Sequence, residues 1–531
     1  MARRLVLITI VFFLVLVALL PVVAMFADSV FVDGRFNLSA YRAVMQSSHQ
    51  WQLMRNSMSL AGLVTVFTVF LGCALGLLLG KTDLPGRRVF IGILVIPLLI
   101  PPYILAVSWS DFFGSGGLVS LLLGPVAART ATHLLFGLPG TTFILISIFL
   151  PIPMLLTLFL LRTINPRLEE AARLVTGWPG VLKGVTIPLI MPGILLGAVL
   201  VFLLSFGEFS VPNFLRFAVF PVESFTQFSA FYDFRAATAA ASPLVVVTLI
   251  LLSLEAVYLR EKTYRLRPSP TIGSLGPIQL GAYRWAAFAL VVFLTLIFVA
   301  IPLLALLMKA GGPGVYLAAL KNSGGSLLRS FLYSVLGATA LTIVGFFVGY
   351  LVQRKSLCCW RALDSMTLFI FALPGTVVGI GLIALWNKPE TIFIYSTPVI
   401  IILGYVAKYT ALTSRISMAH LGQIPISMEE AAQVSGSSWL NTIRRIVLPL
   451  ASRGLMASWA VGYVFCMRDM GITTLVYPPG YETLPVRIFT QMANGNPALI
   501  AALCIIMIVA VLAPAGLLML IFSRQNRKQG S

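Results

Sequence analysis

The chain has 531 residues, of which 59% are hydrophobic and only 10% charged, with a mean hydropathy of +0.98. A soluble domain carries about 25% charged residues, so a soluble globular protein is excluded. The formal net charge of +20, from 37 Lys and Arg against 17 Asp and Glu, falls in short loops between apolar runs and reports membrane orientation, with no nucleic-acid partner implied.

A helix that crosses the bilayer needs roughly 20 mainly apolar residues. Twelve such spans are predicted in chain order, near residues 5–26, 53–80, 89–110, 138–161, 186–207, 241–259, 285–308, 327–352, 362–386, 397–415, 448–466 and 498–522. The first is read as a span that stays, because it exceeds a signal-peptide apolar core and no small-residue cleavage site follows. With the amino end inside, and with Arg55, Arg329 and Arg415 at span ends counted with the adjoining loops, the inner segments hold 23 basic residues and the outer loops 12. This excess places both termini in the cytoplasm and the chain in the bilayer as a multi-pass protein. The five cysteines form no CxxC pair, and with three scattered histidines they signal neither a disulfide framework nor a stable metal site.

The chain repeats itself. Gly72 and Gly76 in the second span match Gly345 and Gly349 in the eighth, 273 residues on, and Pro101 matches Pro374 at the same spacing. Two six-span domains are therefore expected, at 1–259 and 285–531. The polar, basic, Pro- and Gly-rich segment 260–284 would link them in the cytoplasm.

The most informative stretches are the loops after the fourth and tenth spans. The first reads Asn165-Pro-Arg-Leu-Glu-Glu-Ala-Ala-Arg-Leu-Val-Thr-Gly177, running on to Pro188. The second reads Ser427-Met-Glu-Glu-Ala-Ala-Gln-Val-Ser-Gly436, running on to Ile446-Val-Leu-Pro449. Glu170 and Glu430 are 260 apart, and Pro188 and Pro449 are 261 apart. Each loop reads as a short helix, a glycine break and a second helix leading into the membrane. Asn165 followed by Pro166 suits an N-cap with proline at the first helical position, and Ser427-Met-Glu-Glu430 suits a capping box. The glutamates complement the positive end of each helix dipole. An exposed helix in the same loop of both halves, with a small Ala-Ala face, favours a docking partner over a bare surface helix.

These loops resemble the EAA loops of membrane permeases of bacterial ABC importers. The second copy fits the pattern throughout, at Glu430, Ala431, Ala432, Gly436, Ile446, Leu448 and Pro449. The first has Thr176 at the expected glycine, Gly177 one later, and one residue fewer before Pro188. With its length and fused six-plus-six layout, the chain is similar to the fused permeases of the ferric-iron and thiamine group. The resemblance implies an all-α polytopic protein of two fused six-helix type I permease domains in the bacterial inner membrane. It further implies a non-enzymatic subunit that binds no cofactor, with ATP and Mg held by two partner ATPase subunits and solute delivered by an extracytoplasmic binding protein. Alternating access would be driven through coupling helices carrying Glu169, Glu170, Ala171, Ala172 and Gly177 in one half and Glu429, Glu430, Ala431, Ala432 and Gly436 in the other. Ferric iron is the favoured solute, with thiamine, phosphonate and polyamine as alternatives within the class. Glu170 and Glu430 are expected to contribute to the ATPase contact.

Two motifs mislead. Gly76-Leu-Leu-Leu-Gly80-Lys81-Thr82 has one residue too few for a phosphate loop and ends an apolar span. Asp83-Leu-Pro-Gly86-Arg87-Arg88 partly matches a signature of major-facilitator carriers, which makes a secondary carrier the rival class. That carrier has no reason to duplicate an EAA loop, and no copy of the signature stands in 353–361.

Charged residues near the membrane interior are functional candidates. Glu208 and Asp469 are 261 apart, each at the outer end of the span after a coupling loop, where hard oxygen ligands would suit a passing cation. Service as outer-loop anchors, or as a partner for Arg468, is the alternative. Lys408 lies seven residues from Arg415 and is expected to snorkel to the cytoplasmic surface. The prolines at 97, 101, 102 and 374 are expected to kink or break helices.

Overall fold

The computed structural model describes residues 2–32, 35–114, 117–258 and 277–529. The protein is an all-α polytopic membrane protein. Among the described residues, ten helices are long and apolar enough to cross a bilayer, or twelve with two bent helix pairs each counted as one span. The strands found there are the short antiparallel pair Phe31–Val32 and Arg35–Phe36. Most of the expected linker 260–284 lies outside the described residues. At its described end Ile278 N donates to the Lys81 carbonyl at 2.7 Å, and Asp83 N donates to the Ile278 carbonyl at 3.2 Å.

Two expected spans are not straight. Arg87–Leu99 and Pro102–Phe113 meet at 99°, and Trp360–Ala372 and Gly375–Trp386 at 109°. Both breaks fall where a proline follows an extended residue, Ile100 in one case and Leu373 in the other. Proline lacks an N–H and forces the residue before it out of the helical region. A third difference is Leu118–Leu135, expected as outer loop but helical and apolar enough to span. Gly124-Pro125 interrupts its sequence, yet the helix resumes across a kink in which Gly124 has φ 85°.

The chain forms two compact units. The first comprises Ser48–Val222 with Pro243–Lys309, and the second Met1–Ser47 and Glu223–Ser242 with Ala310–Ser531. The two halves of the sequence thus exchange their first helices: the one from Tyr283 belongs to the first unit and the one from Ala2 to the second.

In the first unit the Ser48–Lys81 helix packs against Pro151–Leu161 and Ile187–Phe206. A methyl group at Gly72 would come within 2.5 Å of Pro153 Cγ, and one at Gly76 within 2.6 Å of Thr157 Cβ. Small residues allow this approach, which membrane helices use because lipid provides no hydrophobic drive to associate. Leu75, Leu79, Leu94, Leu150 and Met154 form a core with Val291 and Phe298 of the helix that enters from the second half.

The second unit repeats this plan with other side chains. Pro313–Gln353 packs against Val399–Leu421 and Leu448–Arg468. A methyl at Gly345 would strike Thr413, and one at Gly349 would strike the Ser414 carbonyl and Ser417. The Thr413 hydroxyl donates to the Leu341 carbonyl at 2.9 Å. Gly193 sits against Leu160 in one unit and Gly454 against His420 in the other, which extends the repeat from sequence to packing. π-Helical turns recur as well, at Leu182–Thr186 and Ile443–Val447, each just before the long helix that follows a Glu-Glu-Ala-Ala loop. The second of these helices, Leu448–Arg468, was expected as a span but is not among those long and apolar enough to cross, Arg453 and Arg468 lowering its hydropathy.

Candidate functional site

The first loop carries an eight-residue helix, Pro166–Arg173. As the sequence predicts, Asn165 is its N-cap, accepting from Arg167 N at 3.1 Å, and Pro166 takes the first helical position. Consecutive helical residues are about 100° apart, so Glu169 and Glu170 cannot share a face. Glu169 turns inward and is 1% exposed, whereas Glu170 and Ala171 are exposed and Ala172 is half-buried. The Lys81 ammonium donates to Glu169 Oε2 at 2.5 Å, and the Thr186 hydroxyl donates to Oε1 at 2.8 Å. The lysine of the phosphate-loop lookalike is therefore a structural cation at the end of the Ser48–Lys81 helix.

The second loop carries Ile426–Val434. Its start corrects the sequence reading, because the N-cap is Pro425 and Ser427 lies inside the helix, so no capping box forms. Pro425, with φ −59° and ψ 137°, turns the chain into the helix two residues earlier than Ser427 would. Glu429 is buried at 5% exposure, while Glu430 and Ala431 are exposed and Ala432 half-buried. Tyr350 donates its hydroxyl to Glu429 Oε2 at 2.7 Å, and Arg354 donates Nε to Oε1 at 2.9 Å. The same Arg354 donates Nη2 to the Ile424 carbonyl at 3.0 Å, and the Trp439 indole donates to the Tyr350 hydroxyl at 3.2 Å. Buried carboxylates persist only when paired and hydrogen-bonded, and each loop meets that condition.

The two glycines differ in what they do. Gly436 has φ +81° and ends its helix in the left-handed conformation, with Ser437 N donating to the Ala432 carbonyl at 3.0 Å. Such an ending favours glycine. Gly177 has φ −73° and stands in extended backbone ahead of Trp178–Val181.

Sequence reasoning missed a further repeat. Leu168 and Met428 are exposed at matching positions, as are Leu174 and Val434, at 90% and 89%. The signal was available in the shared spacing of 260, but in an apolar chain four more apolar residues do not stand out.

Glu208 and Asp469 both cap the short turn that follows them, each in its own unit. Glu208 Oε1 accepts from Ser210 N at 2.9 Å and from the Ser210 hydroxyl. Asp469 Oδ1 accepts from Ile472 N and Thr473 N at 3.2 and 3.0 Å, and Oδ2 from the Tyr409 hydroxyl at 2.6 Å. Lys408 does not snorkel. Its ammonium donates to the Leu373 carbonyl at 2.6 Å, satisfying a group freed where the bent pair breaks. A carbonyl without a helical partner is costly in a membrane, which explains why the amine turns inward.

Residues 342–528 match the family described as the binding-protein-dependent transport system inner membrane component. The chain is 25% identical to the putative ferric transport system permease protein FbpB 1 of Haemophilus influenzae, over 88% of this chain and 77% of that protein. It is 24% identical to the ferric transport system permease protein FbpB of Actinobacillus pleuropneumoniae, over 93% of this chain and 74% of the relative. A shorter likeness, 27% identical over 38% of this chain and 79% of the relative, joins it to the spermidine/putrescine transport system permease protein PotC of H. influenzae. With two glutamate-anchored loops and a duplicated helical plan, the chain is a multi-pass membrane protein that matches the binding-protein-dependent transport system inner membrane component over residues 342–528 and is similar along most of its length to ferric transport permeases.

Proposed function

We propose that this chain is the permease subunit of an ATP-driven importer of ferric iron, with one ATPase subunit docked on each of the Pro166–Arg173 and Ile426–Val434 helices. The observation that carries this reading is the matched outer face of the two helices. Leu168, Glu170 and Leu174 in one loop and Met428, Glu430 and Val434 in the other expose the same chemical sequence at a constant spacing of 260. An apolar side chain on either side of a free carboxylate suits a cleft with an apolar floor and a basic rim. Two like faces suit two copies of one partner. Differential binding of that partner to two states of the permease is what would shift it between inward- and outward-facing forms.

On this reading the chain hydrolyses nothing and binds no cofactor. ATP and Mg belong to the ATPase subunits, an extracytoplasmic binding protein delivers the solute, and both termini face the cytoplasm. Ferric iron is preferred because the ferric permeases match nearly the whole chain, whereas the polyamine permease matches 38% of it. Thiamine, phosphonate or polyamine transport is the alternative within the same class. A major-facilitator carrier is disfavoured by the duplicated loops. Glu208 and Asp469 are proposed to lie along the solute path, where their capping hydrogen bonds would have to open for a cation to be held.

The test is purification of the tagged chain from its native membrane in mild detergent, with mass spectrometry of accompanying proteins and uptake of radiolabelled ferric iron into proteoliposomes. Two ATPase chains per permease and ATP-dependent iron uptake are expected. A solitary protein with proton-driven uptake would overturn the reading in favour of a carrier, and ATP-dependent uptake of another solute would overturn the iron assignment alone.

A further inference from the structure

The buried glutamates point to how force would enter the membrane. Glu169 and Glu429 face away from the proposed partner surface and are gripped by cations 273 residues apart, Lys81 and Arg354. That spacing is the one at which Gly72, Gly76 and Pro101 repeat. Lys81 is the last residue of the 34-residue helix Ser48–Lys81, and Arg354 is the C-cap of the 41-residue helix Pro313–Gln353. Each long membrane helix thus ends in a cation bound to the inner face of a partner-facing helix.

We propose that Glu169 and Glu429 are positioning residues that clamp the two coupling helices to the ends of these long membrane helices. A displacement imposed on Pro166–Arg173 or Ile426–Val434 then moves Ser48–Lys81 or Pro313–Gln353 directly, and the loop does not absorb it by bending. The clamp is ionic in both halves although its donors differ, lysine and threonine in one, arginine and tyrosine in the other. A buried ion pair is a poor way to gain stability compared with apolar packing of the same volume. It is a good way to set geometry, because removing either member leaves a buried charge and the pair holds one arrangement. Gly72 and Gly76, and Gly345 and Gly349, seat the same long helices tightly against their neighbours. Motion entering at their ends therefore meets close-packed helices.

This inference rests on the proposed docking of ATPase subunits, and its test separates the two. In proteoliposomes holding the assembled transporter, the double variant Glu169→Gln with Glu429→Gln is expected to lose uptake by roughly tenfold, while the ATPase subunits still co-purify and hydrolyse ATP. The exchanged pair Arg354→Glu with Glu429→Arg is expected to regain part of the uptake lost in Glu429→Gln. A second measurement does not depend on the partner. A spin label at Ser435→Cys, with the exposed Cys358 and Cys359 replaced by serine, is expected to become more mobile when Glu429→Gln is added. Unchanged uptake in the double variant, or an unchanged label, would overturn the clamp. Loss of ATPase co-purification along with uptake would also overturn it, by placing these glutamates in docking. A wild-type protein with no ATPase partner would overturn the coupling function, while the label would still report whether the clamp exists.

Discussion

The two glutamate-anchored loops follow one plan with different stiffness. In the first, a lysine ammonium and one threonine hydroxyl hold Glu169, and the helix ends without a left-handed residue. In the second, an arginine fork and a tyrosine hold Glu429, the same arginine ties the Ile424 carbonyl, Trp439 braces the tyrosine, and Gly436 closes the helix. Arg354 and Glu429 are more buried than Lys81, whose side chain is 18% exposed. Guanidinium offers a rigid planar set of donors, whereas ammonium is a mobile point charge on a flexible stem. The duplicated protein has kept the position of the clamp and changed its rigidity, and the stiffer copy is the one that fits the EAA pattern throughout.

This contrast can be broken at several levels. The largest expected effect is on transport. Glu430→Lys should abolish uptake while leaving the protein in the membrane, and Glu170→Lys should impair it less, since the softer first loop would deliver less of the movement; equal residual uptake in the two variants would remove the asymmetry. Stability comes next. Arg354→Ala leaves Glu429 buried without its charge partner and is expected to cost about 3–5 kcal/mol. Lys81→Ala should cost about 1–3 kcal/mol, because Thr186 remains and water can reach the site. Denaturation of the purified variants in detergent measures both, and an equal loss would mean that the two clamps are equivalent.

The glycines provide a smaller contrast. Gly436→Ala places a Cβ in the left-handed region and should cost about 1–2 kcal/mol. Gly177→Ala should change stability by less than about 0.5 kcal/mol, since its φ is −73° and the nearest neighbour to an added methyl is Pro179 Cδ at 3.8 Å. A similarly modest effect is expected of Thr186→Val, which removes one of two donors to Glu169, at about 1 kcal/mol or less. A loss as large as that of Lys81→Ala would show that the hydroxyl, and not the cation, anchors the first loop.

Much of this was legible beforehand for identifiable reasons. The membrane class followed from composition, the duplication from glycine and proline spacing, and the first helix start from Asn165-Pro166, because local chemistry decides each. The inward glutamate was not legible. Glu-Glu is symmetric to a reader of the chain, and the choice between Glu169 and Glu170 is made by Lys81, 88 residues away. Ser427 failed as a cap for a local reason that was overlooked, as Pro425 begins the helix first. Proline breaks at 101 and 374 were expected in kind, but bends of 99° and 109° depend on what accepts the broken ends, and Lys408 bonding to Leu373 is one such answer.

By itself, the sequence determined that this protein lives in a bilayer, that it is built twice over, and where its two Glu-Glu-Ala-Ala loops lie, because hydropathy and turn chemistry act over a few residues at a time. Only the tertiary structure decided which helices keep company, with the two halves of the chain exchanging their first helices. Only the tertiary structure decided which glutamate meets the membrane helix and which stays free. Both choices depend on burial of one face against residues far away in sequence, and the cost of an unpaired buried charge then leaves a single arrangement.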